Sequence, residues 1–253
     1  WTISAKLEKD GEYDAKLSVF KQEPVKKFTF DSTTLVEEAG KGLEEQCKKG
    51  LVAKSISKKT IKRSPREPFR TSVLQQQASN RFGFTPKRTM QIAQSLYARE
   101  GGGLITYIRT DSIEIDEGKV PAVRSQVASM FGEDFVQPRN FKNKKEAKNI
   151  QEAHGAITPV DISLVPADAK KILKDDEFKL YQLIWQRTVA SQMKDAIFER
   201  TSIEFVPTGD ESLATFSFSD QELIFSGYLE ATQEEVTNNK PPLINENDAI
   251  GFK

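Results

Sequence analysis

Tyr107 and Arg109 stand two positions apart in the run Leu104-Ile105-Thr106-Tyr107-Ile108-Arg109-Thr110-Asp111-Ser112. In an extended chain, residues i and i+2 point to the same face, so the spacing predicts a phenol and a guanidinium side by side. A phenol ionises near pH 10 and is a poor nucleophile at neutral pH. A neighbouring guanidinium favours the phenolate and can clamp a phosphate with its planar fork. His154 is the only histidine in the chain and a further candidate donor or proton carrier. Each has a plainer reading: a strand tyrosine packing in a core, and a structural histidine. The residues alone leave both readings open.

Other chemistries find no support. There is no Gly-rich phosphate loop ahead of a helix, no Gly-x-Ser-x-Gly elbow and no defensible Ser/His/Asp order. One cysteine, Cys47, permits no internal disulfide, and one Cys with one His does not make a zinc site. Cytoplasm is the expected compartment. No apolar run reaches the length of a transmembrane helix and no signal peptide is seen. The chain opens without Met in an alternating strand pattern, and is expected to be a piece of a longer protein.

The charge is zero overall but unevenly spread. Residues 48–110 carry fourteen Lys/Arg against two acids, and residues 195–253 carry three against twelve. The basic block predicts a polyanion-facing surface, with the acidic end on the far side.

The elements that must hold Tyr107 follow from periodicity and punctuation. Alternation over Trp1–Leu7 and Ala15–Val19 predicts strands joined by a turn at Lys9–Glu12. A helix capped by Ser32 or Thr33 carries a Leu35, Ala39, Leu43, Cys47 stripe and ends at Gly50. Residues 51–63 read as a strand, and Pro65 and Pro68 then break the chain. Two helices come next. Thr71 or Ser72 caps the first, with Leu74, Ala78 and Phe82 inward. Gly83-Phe84 turns, and Thr85 caps the second, with Pro86 at its first position and Met90, Ala93 and Tyr97 inward beside Ile92 and Leu96. This order suits a helix-turn-helix followed by a wing-like strand, and equally an ordinary helical hairpin. Lys119–Phe131, Asp168–Leu173 and Glu177–Lys194 read as helices, and residues 137–149 as a basic loop. Strands return at Thr201–Val206, Leu213–Phe218 and Leu223–Leu229. The expected fold class is α+β: a β-rich domain from 1–65 and 195–253, with a helical domain, 66–194, inserted at its middle.

The run around Tyr107 resembles the active-site segment of bacterial type IA DNA topoisomerase I. So do residues 68–100, the Gln151-Glu152-Ala153-His154 segment through Ile162, and residues 180–193, four motifs in order over about half the chain. The resemblance implies that Tyr107 attacks a DNA phosphodiester to form a 5′-phosphotyrosine link, with strand passage and religation and no ATP. It implies that Arg109 is the cation at the scissile phosphate and that His154 assists cleavage or binding. Arg88, Thr110, Asp111 and Ser112 are the implied DNA contacts, and chiefly single-stranded DNA the implied partner. The helical insert would be a winged-helix-like tyrosine domain and the β parts an arch. Mg²⁺ would serve the full-length enzyme through a TOPRIM domain outside these residues, so this chain alone is expected to be inactive. The family pattern has Glu and Arg where Gly155 and Thr158 stand here. Within the family, topoisomerase III and reverse gyrase are alternatives, and the Gln-Glu-Ala-His wording favours topoisomerase I. From another class, a non-catalytic nucleic-acid-binding module fits the helix pair and the basic block, with Tyr107 stacking on a base.

Overall fold

The computed structural model describes residues 1–9, 11–143 and 154–252. The chain forms two compact units. The first comprises Trp1–Ile61, Ile197–Ile224 and Val236–Lys253, and the second Lys62–Ala196 and Phe225–Glu235. It is a mixed α and β protein, as its class was read.

The first unit is built on a sheet that closes on itself. Its strands are β1 (Ser4–Glu8), β2 (Glu12–Phe20), β3 (Glu23–Pro24), β4 (Leu51–Arg63), β5 (Ala196–Pro207), β6 (Ala214–Phe225) and β7 (Ala249–Phe252). The order is β1-β7-β4-β5-β6-β2-β3, and β1 also pairs with β2, so six strands complete a ring and β3 hangs on β2. Closure leaves few open edges for another chain to pair with. The β1–β2 hairpin is antiparallel, from Ser4 opposite Lys16 to Glu8 opposite Glu12. Alternation puts Ala5, Leu7, Ala15 and Leu17 in the core with Leu51, Ala53, Phe205 and Phe216. Helix α1 (Thr33–Cys47) adds Ala39, Leu43 and Cys47. Ser32 caps it, accepting from the Leu35 N–H. Leu35 itself, expected on the buried stripe, is exposed, because only the later turns of α1 reach the core.

The acidic C-terminal residues do not lie on a far side. Strand β5 is the neighbour of β4, and the pairing sets Lys58 on Glu199 (2.9 Å), Ser55 on Glu204 (2.9 Å) and, from the loop before β6, Glu211 on Lys54 (2.5 Å). Part of the basic block is therefore matched locally by cross-strand partners.

The second unit is mainly helical: α2 (Thr71–Phe82), α3 (Pro86–Tyr97), α4 (Val120–Phe131), α5 (Pro166–Ile172), α6 (Asp175–Ala190) and α7 (Leu229–Thr232). Helix α6 is its axis, buried nearly all round from Leu180 to Ala190. Such a helix must have its polar tips satisfied locally. Tyr181 Oη donates to the Leu164 carbonyl (2.8 Å) and Trp185 Nε1 to that of Ile162 (2.9 Å). The α2–α3 hairpin follows its punctuation: Gly83 closes α2 in the left-handed region (φ 69°), and Thr85 caps α3 with Pro86 in its first turn.

The strand expected over Leu223–Leu229 ends with β6 at Phe225, and a turn followed by α7 takes its place. Tyr228 N–H bonds to the Lys194 carbonyl (3.0 Å), and Phe225 stacks on Phe135 at 4.9 Å. Gly227 makes the turn possible, since a Cβ there would land on the backbone of Lys194 and Asp195. These contacts hold 225–235 in the helical unit. After α3 no wing-like strand follows among the described residues, only isolated bridges such as Ile105 with Pro159 and Phe69 with Ile157.

Candidate active site

Tyr107 sits on an irregular segment that neighbouring parts of the chain hold on both sides. Its anchor begins at the end of α3. Leu104 N–H bonds to the Leu96 carbonyl (2.8 Å), folding the chain back after the glycines. Gly101 and Gly102 have φ of 87° and 120°, and a Cβ on Gly103 would fall on the Tyr97 carbonyl oxygen. The fold-back seats Tyr107 against Tyr97, whose rings meet edge to face at 5.7 Å.

A strap from His154 to Val165 runs along the other side. Thr106 N–H bonds to the Thr158 carbonyl (2.8 Å), and the Thr106 hydroxyl donates to Ala156 O (2.9 Å) while accepting from Thr158 N–H (2.9 Å). Thr158, where the family pattern has Arg, is thus a backbone partner of the residue preceding the tyrosine. The strap brings the His154 ring to 4.4 Å from the Tyr107 ring, tilted by 45°. Gly155 lets the strap pass: Ala156 N–H bonds to Glu114 O (2.8 Å), and a Cβ on Gly155 would sit 2.9 Å from that oxygen. The family's Glu at this position would not fit the backbone path seen here.

On the far side of Tyr107, Thr71 was expected to cap α2. Instead it is the helix's first residue, and Arg70 holds the cap position with no side-chain bond. The Thr71 hydroxyl lies 2.8 Å from the Ile108 carbonyl and 3.0 Å from that of Thr110, and accepts from Thr110 N–H (2.9 Å). Thr110, nearly buried, donates from its hydroxyl to the His154 carbonyl (3.2 Å) and accepts from Ser112 N–H (3.0 Å). Ser112, also buried, accepts from Glu114 N–H and from the Asn143 amide. Thr110 and Ser112 are thus the loop's scaffold.

Arg109 is exposed and makes no ion pair among the described residues, and Asp111 is exposed too. Arg88 is placed elsewhere. It lies in the first turn of α3, about 13 Å along the helix from Tyr97, and binds Asp176 at 2.7 Å. The structure therefore groups Tyr107, His154, Thr110 and Ser112, leaves Arg109 and Asp111 exposed beside them, and separates Arg88. Residues 151–153 of the histidine motif lie outside the described residues.

Three contributors were not singled out from sequence: Tyr97, Thr71 and Arg187. The Arg187 guanidinium is buried 4.4 Å over the Phe69 ring, and burial pushes its pKa down to about 10. Phe69 O accepts from Ile157 N–H (2.8 Å), so Arg187 supports the strap through Phe69. Only Tyr97 left a signal, an aromatic at the last turn before three glycines.

No cluster of three or more His, Cys, Asp or Glu able to hold a metal ion exists among the described residues. No helix among them is long and apolar enough to cross a membrane.

The family model for DNA topoisomerase matches residues 1–253. The chain belongs to the DNA topoisomerase family. Its four ordered motifs are those of the bacterial type IA topoisomerase I kind, and the readings as topoisomerase III, reverse gyrase or a non-catalytic module are not favoured. It is 36% identical to DNA topoisomerase 1 of Rickettsia bellii over 96% of this chain and 32% of that protein. It is 44% identical to DNA topoisomerase 1 of Streptomyces coelicolor over 73% of this chain and 19% of that protein. Its fold is similar to full-length topoisomerase I from Thermotoga maritima, with TM-score 0.74 and 30% identity, covering 99% of this chain and 39% of that one. The chain spans about a third of the length of the first curated relatives it matches.

Proposed function

We propose that this chain carries the nucleophile of a type IA topoisomerase, and that Tyr107 cleaves one DNA strand by transesterification. The Tyr107 Oη attacks a backbone phosphorus, a Tyr–O–P bond forms, and the P–O3′ bond breaks. The phenolic proton passes to the departing 3′-oxygen, leaving a 5′-phosphotyrosine and a free 3′-hydroxyl. Reversal reseals the strand. One ester replaces another, so the exchange needs no ATP.

The observation that carries this reading is the way the tyrosine is held. Thr106 and Thr71 fix the backbone on both sides of Tyr107, and Tyr97 and His154 flank its ring. A side chain so framed keeps its hydroxyl in one place without a regular strand. His154 is exposed and in contact with the ring, within reach of a phosphate presented to Tyr107. Arg109, exposed and without an ion pair among the described residues, supplies a fork for the phosphate oxygens. Thr110 and Ser112 act by holding the loop, and Asp111 is left to meet the strand. Arg88 contributes to DNA binding only if the strand displaces Asp176.

The described residues do not fit a metal ion. Mg²⁺ ligands are proposed to lie outside this chain, in the TOPRIM part of the full-length protein, and no step above passes through the ion. The expected compartment remains the cytoplasm, and the expected substrate single-stranded DNA.

The test is SDS trapping with end-labelled single-stranded DNA and the full-length protein. Tyr107→Phe is expected to abolish the covalent adduct while leaving the fold and DNA affinity nearly unchanged. An undiminished adduct would remove Tyr107 from the role.

A further inference from the structure

The helical unit has a polar cleft at the opposite end of α2 from the tyrosine loop. Thr71 opens α2 at Ile108 and Thr110, while Arg81 and Phe82 close it about 15 Å further on. There Arg81, Lys179, Gln182, Gln186 and Thr232 line a cavity of about 340 Å³ with Phe82 and Leu183. That volume is at the small end of ligand sites.

One sealed hydroxyl and one open amide in it are unspent. Thr232 is 8% exposed, and its Oγ1 is shut off from water with no hydrogen-bond partner among the described residues. Gln186 is 7% exposed, and its amide makes no hydrogen bond among the described residues. Buried polar groups are nearly always paired, so the sealed Thr232 hydroxyl is a cost that a ligand can remove, while the Gln186 amide is open to whatever fills the cleft. Thr232 lines the cleft, and rotation to another staggered χ1 position is how its hydroxyl would meet a ligand.

The rim gives the ligand's charge. Arg81 is held only loosely, 3.8 Å from Glu234, and Lys179 is exposed and makes no ion pair among the described residues. Two cations, a hydroxyl and amides able to donate suit the oxygens of a phosphate group. Half-buried Phe82 offers an apolar face beside them. We propose that this cleft is a nucleotide-phosphate site, separate from Tyr107. That the phosphate is a nucleotide's rests on the topoisomerase reading; the site itself rests on the cleft.

Calorimetric titration tests it with three probes: 5′-deoxyadenylate, deoxyadenosine and a thymidine tetranucleotide. Deoxyadenylate is expected to bind, and deoxyadenosine about tenfold or more weakly. Gln186→Met and Thr232→Val are each expected to weaken deoxyadenylate binding about tenfold, with the circular dichroism unchanged. Thr232→Val is nearly isosteric and removes an oxygen the fold leaves unpaired, so it does not threaten folding. Competition by the tetranucleotide identifies a DNA strand as the phosphate's source, and its failure to compete identifies a free nucleotide. Either result upholds the site. Equal binding of nucleotide and nucleoside, no binding of deoxyadenylate at millimolar concentration, or affinity untouched by both variants would overturn it. Tyr107→Phe separates this proposal from the previous one: it removes the adduct and leaves deoxyadenylate affinity in place. If it removes that affinity as well, the nucleotide was on the tyrosine and the cleft is refuted.

Discussion

The barrel unit and the helical unit solve different problems with the same kinds of residue. In the barrel, backbone groups pair strand to strand, side chains alternate inward and outward, and charges meet in cross-strand pairs such as Lys58–Glu199. Its glycines in α1, Gly40 and Gly42, have open space around them. Around Tyr107 there is no ladder. Threonine and serine hydroxyls satisfy the backbone, and Gly103 and Gly155 are packed against carbonyls. Regular structure carries the barrel, whereas the tyrosine is held by individually chosen small residues, which is how a loop becomes stiff enough for chemistry.

The largest effect expected from that contrast is at glycine. Gly103→Ala drives a Cβ into the Tyr97 backbone and should destabilise the helical unit by roughly 3 kcal/mol. Gly42→Ala, exposed in α1, should stabilise the barrel unit by about 0.8–1 kcal/mol through helix propensity. Denaturant melts of the two variants should move in opposite directions. Equal and opposite-to-expected shifts would mean that the tyrosine loop yields as easily as a surface helix.

Next is the hydroxyl scaffold. Thr71→Val keeps the shape and deletes the group that serves Ile108, Thr110 O and Thr110 N. Leaving such groups unpaired should cost about 1–3 kcal/mol. The adduct yield of the full-length protein should fall without loss of DNA affinity. Thr71→Ser should restore both stability and yield, an outcome that a mere packing role for the side chain would not produce.

What could be read in advance follows the same division. The α2–α3 hairpin was legible because its signals are local: Gly83, Thr85 and Pro86 act within a turn of themselves. Tyr107, Arg109 and His154 stood out through a resemblance over several motifs, and the physics of the run by itself left packing open. The ring closure of the barrel was not legible, since it depends on the four-residue β7 pairing with β1 and β4. The apolar run near Leu223–Leu229 read as one strand, yet Gly227 and the Lys194 carbonyl end it early. The acidic end was put on a far side because charge blocks carry no register, and only the neighbouring of β4 and β5 shows that the blocks meet. Thr71 looked like a cap because caps and loop anchors use the same hydroxyl. Which backbone it serves is decided by a loop more than thirty residues away.

The smallest effect lies in the barrel core. Cys47 is buried at the end of α1, and burial pushes its thiol from 9.0 up to about 11. The folded pKa is the higher one, so the contribution is fully present below pH 9. Above that the unfolded thiol loses its proton while the folded one keeps it. Stability should therefore fall between pH 9 and 11, by at most about 1.4 kcal/mol per pH unit from this group. Lysines and tyrosines titrate in the same window, so the measurement is a difference: urea melts of the wild type and Cys47→Val at pH 8 and pH 10.5. The wild type should lose more stability than the variant, and a thiol reagent should label Cys47 at pH 8 only after unfolding. Equal losses would show that the barrel opens around α1 readily enough to hydrate the thiol. The contrast between a closed barrel and a pinned tyrosine loop would then have to be softened on the barrel's side.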